Sequence, residues 1–167
     1  KKKPSDPTRP PADGLPIYLE TAQSLFGPTI KERPTKLFEL DPQGGSYTVW
    51  GRIFDIDFRT FRDGAKLRYA LKITDQTNSV TAHIWLDRSR DKAKAEALEG
   101  IKKGDCILMS GIYELDRYAN DNIFSPKAIS VVAPYIRKDM AKEKRVELHL
   151  HTKMSSMDAV SDVNSLV

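Results

Sequence analysis

The stretch YTVWGRIFDIDFRTFRDGAKLRYALKITDQTNSVTAHIWLD, residues 47–87, decides the fold. Residues 47–61 are rich in β-branched and aromatic side chains and predict a long strand. RDG at 62–64 signals a hairpin, because glycine supplies the positive φ that such turns require. Residues 65–75 alternate as a second strand, QTNS at 76–79 turns the chain, and 79–87 form a third. Strand side chains alternate between faces. Val49, Gly51, Ile53, Tyr69, Leu71, Ile73, Val80, Ala82 and Ile84 therefore point inward. Trp50, Arg52, Phe54, Arg68, Ala70, Lys72, Thr81, His83 and Trp85 point outward.

Downstream, residues 89–100 read as a helix that Ser89 caps and Gly100 ends, with Ala93, Ala97, Leu98 and Ile101 on one face. Residues 102–115 form a fourth strand, 116–122 a polar loop, and 123–132 a fifth strand that Pro126 marks as edge or bulged. Three strands, a helix and two strands is the element order of an OB-fold, a five-stranded, partly open barrel. The expected class is mainly β. A small β-sandwich is the alternative, and the helix between strands three and four argues against it.

Eight of the ten prolines lie in the first 42 residues, so residues 1–46 read as a linker or connector, extended over 28–46. IYLETAQSLF (17–26) is expected to form a brief helix within it. The barrel is assigned to 47–133, a charged linker to 134–145, and the truncated start of another domain to 146–167. The chain begins at Lys1, and its last helical pattern reaches Val167 without a stop signal, so it reads as an excised segment.

The 167 residues, 40% of them hydrophobic, suffice for one core. No apolar run approaches the roughly 20 residues of a membrane span, and no signal-peptide h-region is present. No membrane partner is expected. A single cysteine excludes an internal disulfide, and Cys106 in the apolar run CILM reads as a buried thiol of a reducing compartment, the cytoplasm. Net charge is +4, a weak pointer to a polyanion. Its distribution says more: Arg59, Arg62, Lys66, Arg68 and Lys72 fall within fourteen residues that hold one acid, Asp63.

An OB barrel binds its ligand across strands two and three, between the loops joining strands one and two and strands four and five. Outward rings that stack on bases and cations that follow phosphates suit single-stranded nucleic acid. The expected contacts are Trp50, Arg52, Arg59, Arg62, Lys66, Arg68, Lys72, His83 and Trp85, with Arg117 and Tyr118 from the last loop. The structural alternative is that Trp50 and Trp85 pack under the N-terminal connector or a neighbouring domain.

VELHLHTKMSSMD (146–158) places His149 and His151 on one face of a strand, with Asp158 following. Two imidazoles and a carboxylate form part of a metal site. VELHLHTKMSSMDAVSDV resembles the first motif of the PHP (polymerase and histidinol phosphatase) domain, and closely its version in PolC-type DNA polymerase III alpha subunits, replicative polymerases of Gram-positive bacteria. VWGRIFDIDFRTFRDG, LKITDQTNSVTAHIW and IKKGDCILMSGIY are similar to the barrel strands of that family. The resemblance spans roughly residues 17–167 and implies a parent with an OB domain, a PHP domain, an inserted proofreading exonuclease and a polymerase core. It implies that His149, His151 and Asp158 are PHP metal ligands. It also implies magnesium at the polymerase and exonuclease sites, and zinc or manganese at PHP. The remaining family acids and histidines lie beyond Val167, so no catalytic residue and no cofactor is assigned to this segment. Single-stranded DNA template, other polymerase domains and replisome proteins are the implied partners. Two alternatives stand: a protein-docking or interdomain module, and a tRNA-binding OB domain of a synthetase.

Overall fold

The computed structural model describes residues 9–116, 120–137, 141–143, 151, 152, 154, 161, 162 and 164. The chain divides into two compact units, Lys1–Arg137 and Lys138–Val167. The second holds few described residues, and the strand and helix expected over 146–167 fall largely outside them. The first is mainly β. Its elements are β1 (Ile17–Phe26), β2 (Gly45–Phe61), β3 (Lys66–Thr74), β4 (Ser79–Asp87), α1 (Lys92–Glu99), β5 (Cys106–Asp116) and β6 (Asp121–Pro134).

β2 serves two neighbours in turn. Residues 45–52 pair antiparallel with β5, and residues 52–61 pair antiparallel with β3. Between Ile53 and Asp55 the register with β3 slips by one residue. Ile53 is held there from the other side, with its N–H on the Asp105 carbonyl at 2.9 Å and its carbonyl accepting the Gly104 N–H at 2.7 Å. β3 pairs antiparallel with β4, β4 pairs parallel with β6 at Thr81 and Ala82, and β6 pairs antiparallel with β5. The pairings thus return to β2. The RDG turn closes as a four-residue loop, 62–65, between the paired Phe61 and Lys66, with Arg62, Asp63 and Gly64 all at positive φ. Pro126 sits at a register shift between β5 and β6, opposite Gly111, where a side chain would strike the β6 backbone.

The inward residues of the first three strands form the core as the alternation predicts. Val49, Ile53, Tyr69, Leu71, Ile73, Val80, Ala82 and Ile84 are buried, with Ile107, Met109, Phe124 and Ile129 from the last two strands. At Gly51 an added Cβ would lie 2.9 Å from Ile73, so the barrel wall approaches closely there. The helix differs in detail. It begins at Lys92 after Asp91, and it buries Ala95 and Leu98, while Ala93 is exposed. Ser89 instead gives its hydroxyl to Asp87 at 2.6 Å and shapes the turn before the helix.

The N-terminal region is corrected most. IYLETAQSLF is strand β1, not a helix, and pairs antiparallel with β6. The open edge of β6 offers ladder partners that no local propensity encodes. Thr21 completes the junction, giving its hydroxyl to the Tyr18 carbonyl at 2.6 Å and accepting the Ala133 N–H at 2.8 Å. Ile17 and Ile30 then join Trp50, Cys106, Leu108, Ala128 and Val132 in a second apolar cluster. Leu37 and Leu40 enter the main core, so residues 17–46 are packed parts of this unit rather than a flanking linker.

Asp75 ties that segment down. Its buried carboxylate accepts N–H groups from Leu37 (2.8 Å), Thr77 (2.9 Å) and Asn78 (3.2 Å), and the Thr77 hydroxyl (2.6 Å). Burial alone would raise its pKa, but these donors outweigh it and hold the carboxyl below its ordinary value. Its contribution to stability is therefore full above the ordinary carboxylate pKa and lost as pH falls through the lower, folded value. Asp75→Ala should cost about 1–3 kcal/mol at neutral pH, because the buried Leu37 N–H is orphaned. Urea unfolding followed by tryptophan fluorescence checks this, and the deficit should shrink in acid. An unchanged midpoint at neutral pH would refute the tie.

Candidate nucleic-acid interface

The slip at Phe54 sets the outer face. Beyond it, Asp55, Asp57, Arg59 and Phe61 share the side of β2 on which β3 and β4 carry their outward residues. Three cross-strand rows follow from the register: Asp55–Lys72–Thr81, Asp57–Ala70–His83 and Arg59–Arg68–Trp85. A fourth, Phe61–Lys66–Asp87, ends at the hairpin. Unbroken alternation would have turned both aspartates inward.

Rings and one cation define the outer end. Trp85 is 56% exposed and Phe61 38%. Their centroids are 5.3 Å apart with planes tilted by 44°. The Arg68 guanidinium lies 5.8 Å from both centroids. Its Nε is buried with no hydrogen-bond acceptor, so the group keeps a donor unused. Phe58 is exposed on the opposite side of the same hairpin, against Tyr69 at 4.7 Å.

The face is far less basic than residues 59–72 imply by themselves. Arg59 and Arg68 approach Asp57 at 3.0 and 3.5 Å. Lys72 and Lys103 bind Asp55 at 2.9 and 2.7 Å, and their hydrogen bonds hold that carboxyl far below its ordinary value. Lys66 approaches Asp87 at 3.5 Å. Asp87 is drawn down to about 2, chiefly by hydrogen bonds from Ser89. Pairs this exposed are worth roughly 0–1 kcal/mol, so an incoming phosphate can compete with them. Arg62, at the exposed turn, makes no ion pair among the described residues. His83 Nδ1 lies 3.9 Å from Asp116. Burial and then Arg68 push its imidazole below the ordinary value, against the pull of Asp116 and Asp57, so it is neutral and offers a hydrogen bond rather than charge.

The structure brings Arg59, Lys66, Arg68, Lys72, His83 and Trp85 to one face, leaves Arg62 on the exposed turn beside it, and separates two of the expected contacts from it. Trp50 points away from the main core as expected, yet only 9% of it is exposed, because Ile17 and Ile30 cover it. Arg52 is exposed beside Cys106, near the middle of β2 where its pairing passes from β5 to β3. Burial raises the Cys106 thiol despite that neighbouring charge, so it is unreactive. Arg117, Tyr118, His149 and Asp158 lie outside the described residues, while His151 is described and exposed. Among the described residues no group of three potential metal ligands gathers. Residues that sequence reasoning missed are Phe61, Asp55, Asp57 and Lys103. The signal was present in Asp-Ile-Asp: two carboxylates at nominally inward positions require a change of phase.

No protein-family model matches the chain. Its sequence is 34% identical over 144 residues to the PolC-type DNA polymerase III of Clostridium perfringens, covering 86% of the chain and 10% of that polymerase. Against the PolC-type polymerase of Bacillus cereus it is 38% identical over 138 residues, 81% of the chain and 9% of the relative. Against that of Pediococcus pentosaceus it is 33% identical over 167 residues, 100% of the chain and 11% of the relative. Among solved structures, a domain of replication protein A from Methanococcus maripaludis is similar, with a TM-score of 0.45 and 20% identity over 61% of this chain and 98% of that one. RecG bound to a three-way DNA junction gives a TM-score of 0.43 and 17% identity over 66% of this chain and 14% of that one. By its own strand pairings the first unit is mainly β, with one short α-helix among the described residues. Over most of its length the chain belongs with the PolC-type DNA polymerases III, and it spans about a tenth of those relatives.

Asp57 is the counter-charge of both Arg59 and Arg68. Asp57→Asn should tighten binding of single-stranded oligonucleotides by about 2- to 5-fold at low salt, with the gain vanishing at high salt. Fluorescence titration of the 167-residue chain at two salt concentrations measures it. Weaker binding would show that Asp57 positions the arginines rather than competing with phosphate.

Proposed function

We propose that this chain is an OB-type module that holds single-stranded DNA for a PolC-type replicative polymerase, without sequence preference. The observation that carries the reading is the Arg68 guanidinium lying against both the exposed Phe61 and Trp85 rings on the outer face of β2, β3 and β4. Every base offers a flat face, so paired rings bind any sequence, and a guanidinium beside them suits the phosphate between two bases. The circuit of pairings through β2, β3, β4, β6 and β5 supports the OB barrel, whose ligand lies on strands two and three. The relatives' name supports DNA as the partner and nucleotide addition as the activity of a whole parent protein. In that parent, His149, His151 and Asp158 would hold a zinc or manganese ion of a PHP site, a donor set suited to either metal.

A second reading has one observation in its favour. The alternation of Asp55, Asp57 and Asp87 with their cations gives the face nearly balanced charge, which suits docking to other polymerase domains or replisome proteins.

Titration with oligothymidylate at micromolar protein and low salt should quench tryptophan emission, and log affinity should fall with log salt by about 0.7 per phosphate contacted. Trp85→Ala should cost about 1–3 kcal/mol of binding, roughly 5- to 150-fold, with an unchanged circular dichroism spectrum. Absence of binding at low salt would overturn DNA binding in favour of docking.

A further inference from the structure

The cations of the β3–β4 face are balanced by acids, whereas one cavity elsewhere gathers cations without them. It measures about 290 Å³ and lies where β2 leaves β5, walled by Trp50, Arg52, Cys106, Tyr135 and Arg137. No carboxylate is among its described lining residues. Arg52 and Arg137 make no ion pair among the described residues. Asp105, on the far side of Arg52, is engaged by the Lys102 N–H at 2.9 Å.

The walls are pre-set. The Tyr135 N–H donates to the Pro16 carbonyl at 2.9 Å, and its ring meets Tyr18 edge-on at 6.2 Å and 84°. Trp50 is held by the second cluster and lines the cavity with the small part of its surface that stays exposed. The lining thus joins two aromatic side chains, a buried thiol and two arginines. Rigid rings with flanking guanidinium groups recognise a planar heterocycle attached to an anion. At this volume the cavity is at the small end of ligand sites, which suits one base and not a base pair.

We propose that this cavity is a second nucleotide subsite, with one base of a nucleic-acid strand against Tyr135 and Trp50 and its phosphate on Arg52 and Arg137. The inference rests on the nucleic-acid reading above and extends it. Arg52 lies near the middle of β2 and Phe61 at its end, about 30 Å apart along the strand at ~3.3 Å per residue. A single strand reaching from one to the other falls within the roughly 4–16 nucleotides that one OB barrel engages.

The chain has two tryptophans, one at each site, so each reports separately. In Trp85→Phe, Trp50 emission should change on adding either 5′-thymidylate or an oligothymidylate long enough to cross the face. Arg52→Gln with Arg137→Gln should weaken that response about tenfold or more. In Trp50→Phe, the Trp85 response to a short oligonucleotide should survive the two arginine changes. Both arginines are exposed, so their loss should leave the circular dichroism spectrum unchanged. A silent Trp50 beside a responsive Trp85 overturns the subsite and leaves the proposed function standing. Silence at both overturns both. A Trp50 change with inorganic phosphate equal to that with 5′-thymidylate overturns base recognition. A response to the oligonucleotide that the arginine changes do not weaken overturns the assigned phosphate contacts.

Discussion

The slip of one residue between Ile53 and Asp55 governs both the core and the binding face. β2 must close against β5 with its first half and against β3 with its second, and the two halves present opposite parities to the interior. Before the slip, Val49, Gly51 and Ile53 fill the core beside Ile73. After it, Asp55, Asp57, Arg59 and Phe61 come to the outside. Without that change of phase, two aspartates would be buried against Leu71 and Ile73, a loss of several kcal/mol that no ion pair there could offset. Bulges of this kind commonly re-aim side chains beside functional surfaces.

The face that results is stacking-led rather than charge-led. Arg59, Lys66, Arg68 and Lys72 all have carboxylate neighbours, so its field is weaker than a sum of its cations. The rings of Trp85 and Phe61 have no comparable compensation, and the Arg68 guanidinium lies against both of them. Balanced charge also restrains non-specific capture of polyanions, because a phosphate must displace a carboxylate to gain a cation. Arg52 and Arg137, which make no ion pair among the described residues, have no such restraint.

Much of this was legible from the chain alone. The three strands of residues 47–87 read correctly because alternation from Val49 to Ile53, Tyr69 to Ile73 and Val80 to Ile84 matches one buried face. The RDG turn was legible because its glycine takes positive φ. The PolC resemblance rested on quoted motifs, and the sequence relatives bear it out. What stayed hidden depends on contacts between distant segments. β1 is a strand because β6 has an edge to share, and Trp50 is buried because Ile17 and Ile30 cover it. The pairing of Lys72 with Asp55 required the slip to be known first, so the basic run looked more basic than it is.

The central claim is that a single strand lies on the outer side of β2, β3 and β4. An amide NMR titration of the isotopically labelled chain with oligothymidylate addresses it most directly. The largest shifts should fall on residues 59–61, 66–72 and 79–87 and on the Trp85 indole N–H. Shifts confined to α1, or spread evenly over the surface and scaling only with ionic strength, would contradict the account.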